Sequence, residues 1–151
     1  MHEIDVELWK IGPKMIKDDE DRLQVQKILL EHYVYLKKVF IYLSSKSLYP
    51  NLTQLDYSHF VQKCSILDKN VNLAAVDRSF IATNVRKTSN DPNAMRVETQ
   101  GNALCRFEFM EVIVRLATEK FKSPGLTQTF SEALQRLMRE CILPNYQPAE
   151  W

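Results

Sequence analysis

The chain has 151 residues, 20 basic and 19 acidic side chains for a formal net charge of +1, and 45% hydrophobic residues. That size holds one domain or two small packed lobes, and the composition is globular rather than disordered. A near-neutral chain without a basic patch has no summed field to draw a phosphate backbone, so nucleic acid is disfavoured as a partner.

Only three glycines occur, too few for a fold built on tight hairpins, and this favours helices. The three cysteines, Cys64, Cys105 and Cys141, are far apart, with no Cys-x-x-Cys pair. Each lies in an apolar stretch, so they read as small buried hydrophobes of a reducing compartment. No apolar run approaches the about 20 residues of a membrane span. The expected location is the cytoplasm, with no membrane partner.

Residues 1–20 form a leader in which Ile4, Val6, Leu8, Trp9 and Ile11 precede the break at Gly12-Pro13. Asp18-Asp19-Glu20-Asp21 is the acidic first turn of a helix running to about Ser45. Its stripe is Val25, Ile28, Leu29, His32, Leu36, Val39, Phe40 and Leu43. Leu30, Tyr33, Val34, Ile41 and Tyr42 extend apolar surface past that stripe, so the helix needs cover on more than one side, part of it from another protein.

Tyr49-Pro50-Asn51 breaks the chain, and Thr53 or Asp56 caps a second helix reaching about Ile66. A third helix starts near Leu73 and carries Val76, Phe80 and Ile81. A polar segment over 84–100, centred on Asn-Asp-Pro-Asn, is a long loop. The next helix, 104–121, is apolar on most sides and belongs mid-core. Its narrow polar seam, Glu108, Glu111, Arg115 and Glu119, reads as solvated, with Glu111 and Arg115 as an i,i+4 ion pair. Ser123-Pro124-Gly125 ends that helix. A last one from about Thr127 shows Phe130, Leu134, Leu137, Cys141 and Ile142 and stops at Pro144.

Paired helices whose joining loops end "apolar, three residues, acid, aromatic" resemble EF-hands. Leu104-Cys105-Arg106-Phe107-Glu108-Phe109 resembles loop positions 8 to 13 of that family, and Leu55 to Phe60 echoes the frame with His59 in place of the acid. The segments DRSFIATNV and NALCRFEFMEVIVRLATEKF are also similar to modules of ciliary and flagellar proteins. The resemblance implies an all-α fold of paired EF-hand-like helix-loop-helix units with an additional C-terminal helix. The expected division is a leader over 1–20, a degenerate EF-hand-like pair over 21–122 and a C-terminal helix and tail over 123–151.

Calcium needs six or more oxygens, with acids at loop positions 1 and 12 and Gly at 6. With Glu108 at position 12, positions 1, 3, 5 and 6 are Val97, Thr99, Gly101 and Asn102. In the first hand the frame puts Leu48, Pro50 and Leu52 at positions 1, 3 and 5. Asp68, Asn70 and Asn72 have 1-3-5 spacing, but Leu73 stands where Gly is required and Ser79 where the closing Glu is. No metal site and no cofactor is therefore expected.

His2, His32 and His59 fall in the leader or on apolar helices. No His-x-x-x-His, Gly-x-Ser-x-Gly or glycine-rich phosphate loop occurs, so no catalytic residue is expected and the chain reads as no enzyme. What remains is protein–protein interaction: a calcium-independent EF-hand-like adaptor or structural subunit of a ciliary or axonemal assembly, gripping a helix or a larger assembly. Its expected partner contacts are Trp9, Tyr33, Phe40, Phe107 and Met110. A calcium-sensing EF-hand regulator is the first alternative and a helical nucleic-acid-binding module the second.

Overall fold

The computed structural model describes residues 16–46, 49, 51–84 and 103–146. Most of the leader, Trp9 included, and most of the loop over 84–100 lie outside them. Within them the fold is all-α, apart from two strands of two residues each.

Helix α1 (Asp19–Glu31) starts where Asp18 accepts a hydrogen bond from the Glu20 N–H at 3.1 Å. It joins α2 (Tyr33–Ser44) at His32, a turn that the apolar periodicity does not announce. The ladder continues through it: His32 N–H donates to the Ile28 carbonyl at 3.1 Å and Leu36 N–H to the His32 carbonyl at 2.9 Å. Val25 and Leu29 of α1, with Tyr33, Leu36, Val39, Phe40 and Leu43 of α2, face one core.

Strand β1 (Leu52–Thr53) leads into α3 (Gln54–Lys63). That helix ends in a Schellman-type turn, with Ser65 N–H on the Gln62 carbonyl and Ile66 N–H on the Val61 carbonyl, and Ser65 takes the left-handed φ of 56°. Helix α4 (Leu73–Asn84) follows. Strand β2 (Ala103–Leu104) pairs antiparallel with β1, Leu52 opposite Leu104 and Thr53 opposite Ala103. Helix α5 (Arg106–Ala117) continues into a π-helical turn, Thr118–Lys122, and Gly125, at φ 90°, lets the chain reverse.

The last helix, α6 (Phe130–Leu137), runs through a second π-helical turn, Met138–Ile142, into α7 (Leu143–Asn145). Pro144 thus lies inside the final turn instead of stopping the helix before it; proline is tolerated in a first turn, where its missing N–H has no intrahelical partner. Helix α6 packs on both α1 and α5, and Ala133, Leu134 and Leu137 share the core of the helix pairs. At the centre, Phe109 touches the rings of Phe40 and Phe60, with centroids 5.6 and 5.7 Å apart.

Candidate functional site

The paired loop ends are the place where an EF-hand does its chemistry. Leu52 and Leu104 face each other across the strand pair, and each is buried. The residue after each, Thr53 or Cys105, is the N-cap of the following helix. Three residues further on stand Asp56 and Glu108, and then the aromatics Tyr57 and Phe109. The two hands therefore align as Leu-Thr-Gln-Leu-Asp-Tyr on Leu-Cys-Arg-Phe-Glu-Phe.

This alignment corrects the frame of the first hand by three residues. His59, expected in the acid's place, is exposed on α3, and Asp56 occupies that place instead. Apolar periodicity misled the expectation because Leu55 and Leu52 are both leucines three residues apart; strand pairing selects Leu52 and leaves Leu55 exposed. Counting back from Asp56, loop positions 1, 3, 5 and 6 become Ser45, Ser47, Tyr49 and Pro50.

The corrected donor set does not fit calcium. Neutral hydroxyls or a phenol stand where carboxylates are required, and Ser45 Oγ donates to the Tyr42 carbonyl at 2.9 Å. In the sequence, proline stands at position 50, where the family's loop requires glycine. The two closing acids are engaged with their own helices. Glu108, 2% exposed, accepts from the Cys105 N–H at 2.9 Å, the reciprocal half of a capping box. The Asp56 N–H donates to Thr53 Oγ1 at 3.2 Å, and Thr53 Oγ1 lies 3.2 Å from Asp56 Oδ2.

Asp68, Asn70 and Asn72 are likewise built into local structure. Asp68 Oδ1 accepts from the N–H groups of Asn70 and Val71 at 2.7 and 2.9 Å, an Asx turn, and Asn72 Oδ1 caps α4 through the Ala75 N–H at 2.8 Å. The cation beside Asp68 is the ammonium of Lys120, 2.7 Å from Oδ2, which also donates to the Ile66 carbonyl at 2.9 Å. Burial alone pushes the Asp68 carboxyl up; the Lys120 ammonium and the two N–H donors outweigh it and hold it below the usual carboxylate range. Among the described residues no group of three or more His, Cys, Asp or Glu could hold a metal ion, and no helix is long and apolar enough to cross a membrane.

Three of the five expected partner contacts lie inside the fold. Tyr33, Phe40 and Met110 are buried in the core, because the helices they sit on are covered by α3, α5 and α6. Trp9 and the side chain of Phe107 lie outside the described residues. The polar seam of α5 is also less solvated than its charges suggest: Glu108 and Glu111 are both buried, and Glu111 takes Arg115 Nε at 3.1 Å.

Two connections escaped the reading of the sequence. Asp21, in the acidic first turn of α1, is buried and caps α6 rather than its own helix. Lys120 is buried on the π-helical turn. A repeated Leu-x-x-x-acid-aromatic pattern marks Asp56 and Glu108, whereas nothing local marks Asp21 or Lys120.

Two helix pairs bridged through short antiparallel strands, with the closing acid Glu108 turned into a helix cap, define a degenerate EF-hand helical domain. Along residues 20–144 the chain matches the family model described as tubulin polyglutamylase TTLL11, EF-hand, and it belongs to that EF-hand family. Neither a curated protein nor a solved structure matches the chain.

Proposed function

We propose that this chain is a non-catalytic, calcium-independent module that holds another protein, an adaptor or structural part of a ciliary or axonemal assembly in the cytoplasm. The observation that carries the reading is the use of Glu108 as a cap. Its carboxylate faces the Cys105 N–H, so the acid that closes an ion site in a calcium-binding hand closes a helix end here. A domain so fixed keeps one shape without an ion, which suits a constant grip on a partner rather than a calcium-gated one. The family's association with a tubulin polyglutamylase supports a setting on microtubules, in keeping with the similarity to ciliary and flagellar modules.

Titration calorimetry with calcium, against an EDTA control, tests the ion half of the reading. The expected result is no binding heat at micromolar calcium, and saturable heat would make the protein a sensor. Proximity labelling in ciliated cells tests the partner half, with axonemal or tubulin-modifying proteins as the expected neighbours.

A further inference from the structure

The face of α1 and α2 that points away from the core is apolar along its middle. Leu23, Leu30, Val34 and Ile41 are 63, 39, 62 and 40% exposed. At 100° per residue along a continuous helix these positions share one line to within about 20°, and hydrogen bonds on both sides of the turn at His32 hold α1 and α2 end to end. Lys27 and Lys37 flank that line at about 40° on either side. Together the six positions, Leu23, Lys27, Leu30, Val34, Lys37 and Ile41, follow the alternating four-and-three spacing of a helix-pairing seam. Neither lysine enters an ion pair among the described residues.

We propose that this seam docks an amphipathic helix of another protein, apolar along its own seam and carrying a carboxylate opposite each of Lys27 and Lys37. The inference rests on the protein-interaction reading above and names its surface and partner class. Charge selects the occupant. An antiparallel second copy would set Leu23 on Ile41 and Leu30 on Val34, but it would also lay Lys27 against Lys37. A parallel copy would lay each lysine against itself. Like charges in a partly desolvated seam oppose both arrangements. Two acids about 15 Å apart along a partner helix match the ten-residue separation of the lysines. On the Lys27 side, a groove of about 500 Å³ between α1 and α6, bordered by Glu31, Arg136 and Arg139, gives the docked helix a polar rim.

The test uses the full chain and two designed, fluorescein-labelled amphipathic peptides of about six turns. One carries Glu at two seam positions ten residues apart, the other Lys. Anisotropy should show the Glu peptide binding at least about tenfold more tightly. Leu30→Asp should abolish that binding, and the Lys27→Glu/Lys37→Glu double variant should reverse the preference. Lys27 and Leu30 are exposed and Lys37 is half-buried, and circular dichroism checks that each variant stays folded. Equal binding of the two peptides, binding of neither, or a dimer in sedimentation that Leu30→Asp dissolves would overturn the proposal. Proximity labelling then separates the two levels. Neighbours lost in the double variant support the seam. Neighbours kept by it overturn the seam and leave the protein-interaction reading intact, and no specific neighbour for the parent chain removes both.

Discussion

Asp21 Oδ2 accepts a hydrogen bond from the Phe130 N–H at 2.9 Å, and its Oδ1 accepts one from Ser131 at 3.0 Å, so an acid at the start of α1 caps the start of α6 across 109 residues of chain. The carboxylate meets N–H groups that have no intrahelical partner, at the positive end of the helix. It thereby ties the C-terminal helix to the EF-hand-like pair. Asp21→Ala removes the cap and should lower unfolding stability by about 1–2 kcal/mol, measured by urea denaturation. Asp19→Ala, on an exposed residue of the same turn, should change it by less than about 0.5 kcal/mol.

Lys120 bridges Asp68 and the Ile66 carbonyl from a buried position. Lys120→Met keeps the apolar stem but leaves the carbonyl without its donor, which should cost about 1–3 kcal/mol. The folded-state pKa of Asp68 lies below its unfolded value. Its contribution is therefore present above the ordinary carboxylate range, about pH 4, and is lost as pH falls through the folded-state value. Comparing acid-unfolding curves of the parent and Asp68→Asn should show a shallower acid loss in the variant.

Burial pushes the Cys64 thiol up to about 12. An unfolded thiol ionises near about 8.5, so stability linked to Cys64 is complete below that pH and declines as pH rises toward the folded-state value. Alkylation at pH 8 should leave Cys64 unmodified in the native protein and label it once urea unfolds the chain. Mass spectrometry of the digested protein reads both states.

Ser65 and Gly125 occupy equivalent left-handed positions at helix ends, at φ 56° and 90°. Ser65→Gly should stabilise the protein by about 1 kcal/mol by relieving the side-chain penalty of that conformation. Gly125→Ala should destabilise it by a similar amount; a Cβ there meets open space, so the cost is the backbone's alone. Thermal melts of the two variants should move in opposite directions.

Phe40 and Val34 lie on the same helix about 120° apart, one buried and one exposed. Phe40→Ala should cost about 3–5 kcal/mol through the cavity it leaves, while Val34→Ala should stay within about 0.5 kcal/mol. Chemical denaturation of both variants checks the contrast. A change at Phe40 thus reports on folding, whereas one at Val34 leaves the core intact.

The aromatic, leucine and valine spacing of residues 25–43 and 104–121 predicts helices and, with few glycines, the all-α class, while the EF-hand-like pairing rests on the resemblance of the loop ends at Leu104–Phe109 and Leu55–Phe60 to that family. Those features are local: a helix declares its period, its caps and its breaks within a few residues. The turn at His32 was not visible because the apolar stripe runs through it unbroken. The frame of the first loop was ambiguous because Leu52 and Leu55 both fit; only the strand partner, Leu104, distinguishes them.

Which apolar side of a helix is buried is a property of its neighbours, and here the sequence by itself could not decide. Tyr33 and Val34 are adjacent and both apolar, and the packing of α3, α5 and α6 sends one into the core and leaves the other in water. The same holds for Asp21, whose partner amides lie more than a hundred residues away, and for Lys120, whose carbonyl and carboxylate partners come from another part of the chain. Periodicity and capping chemistry act over one or two turns and are written in the sequence. Burial and long-range hydrogen bonds depend on how those turns are brought together, and the tertiary structure alone fixes that.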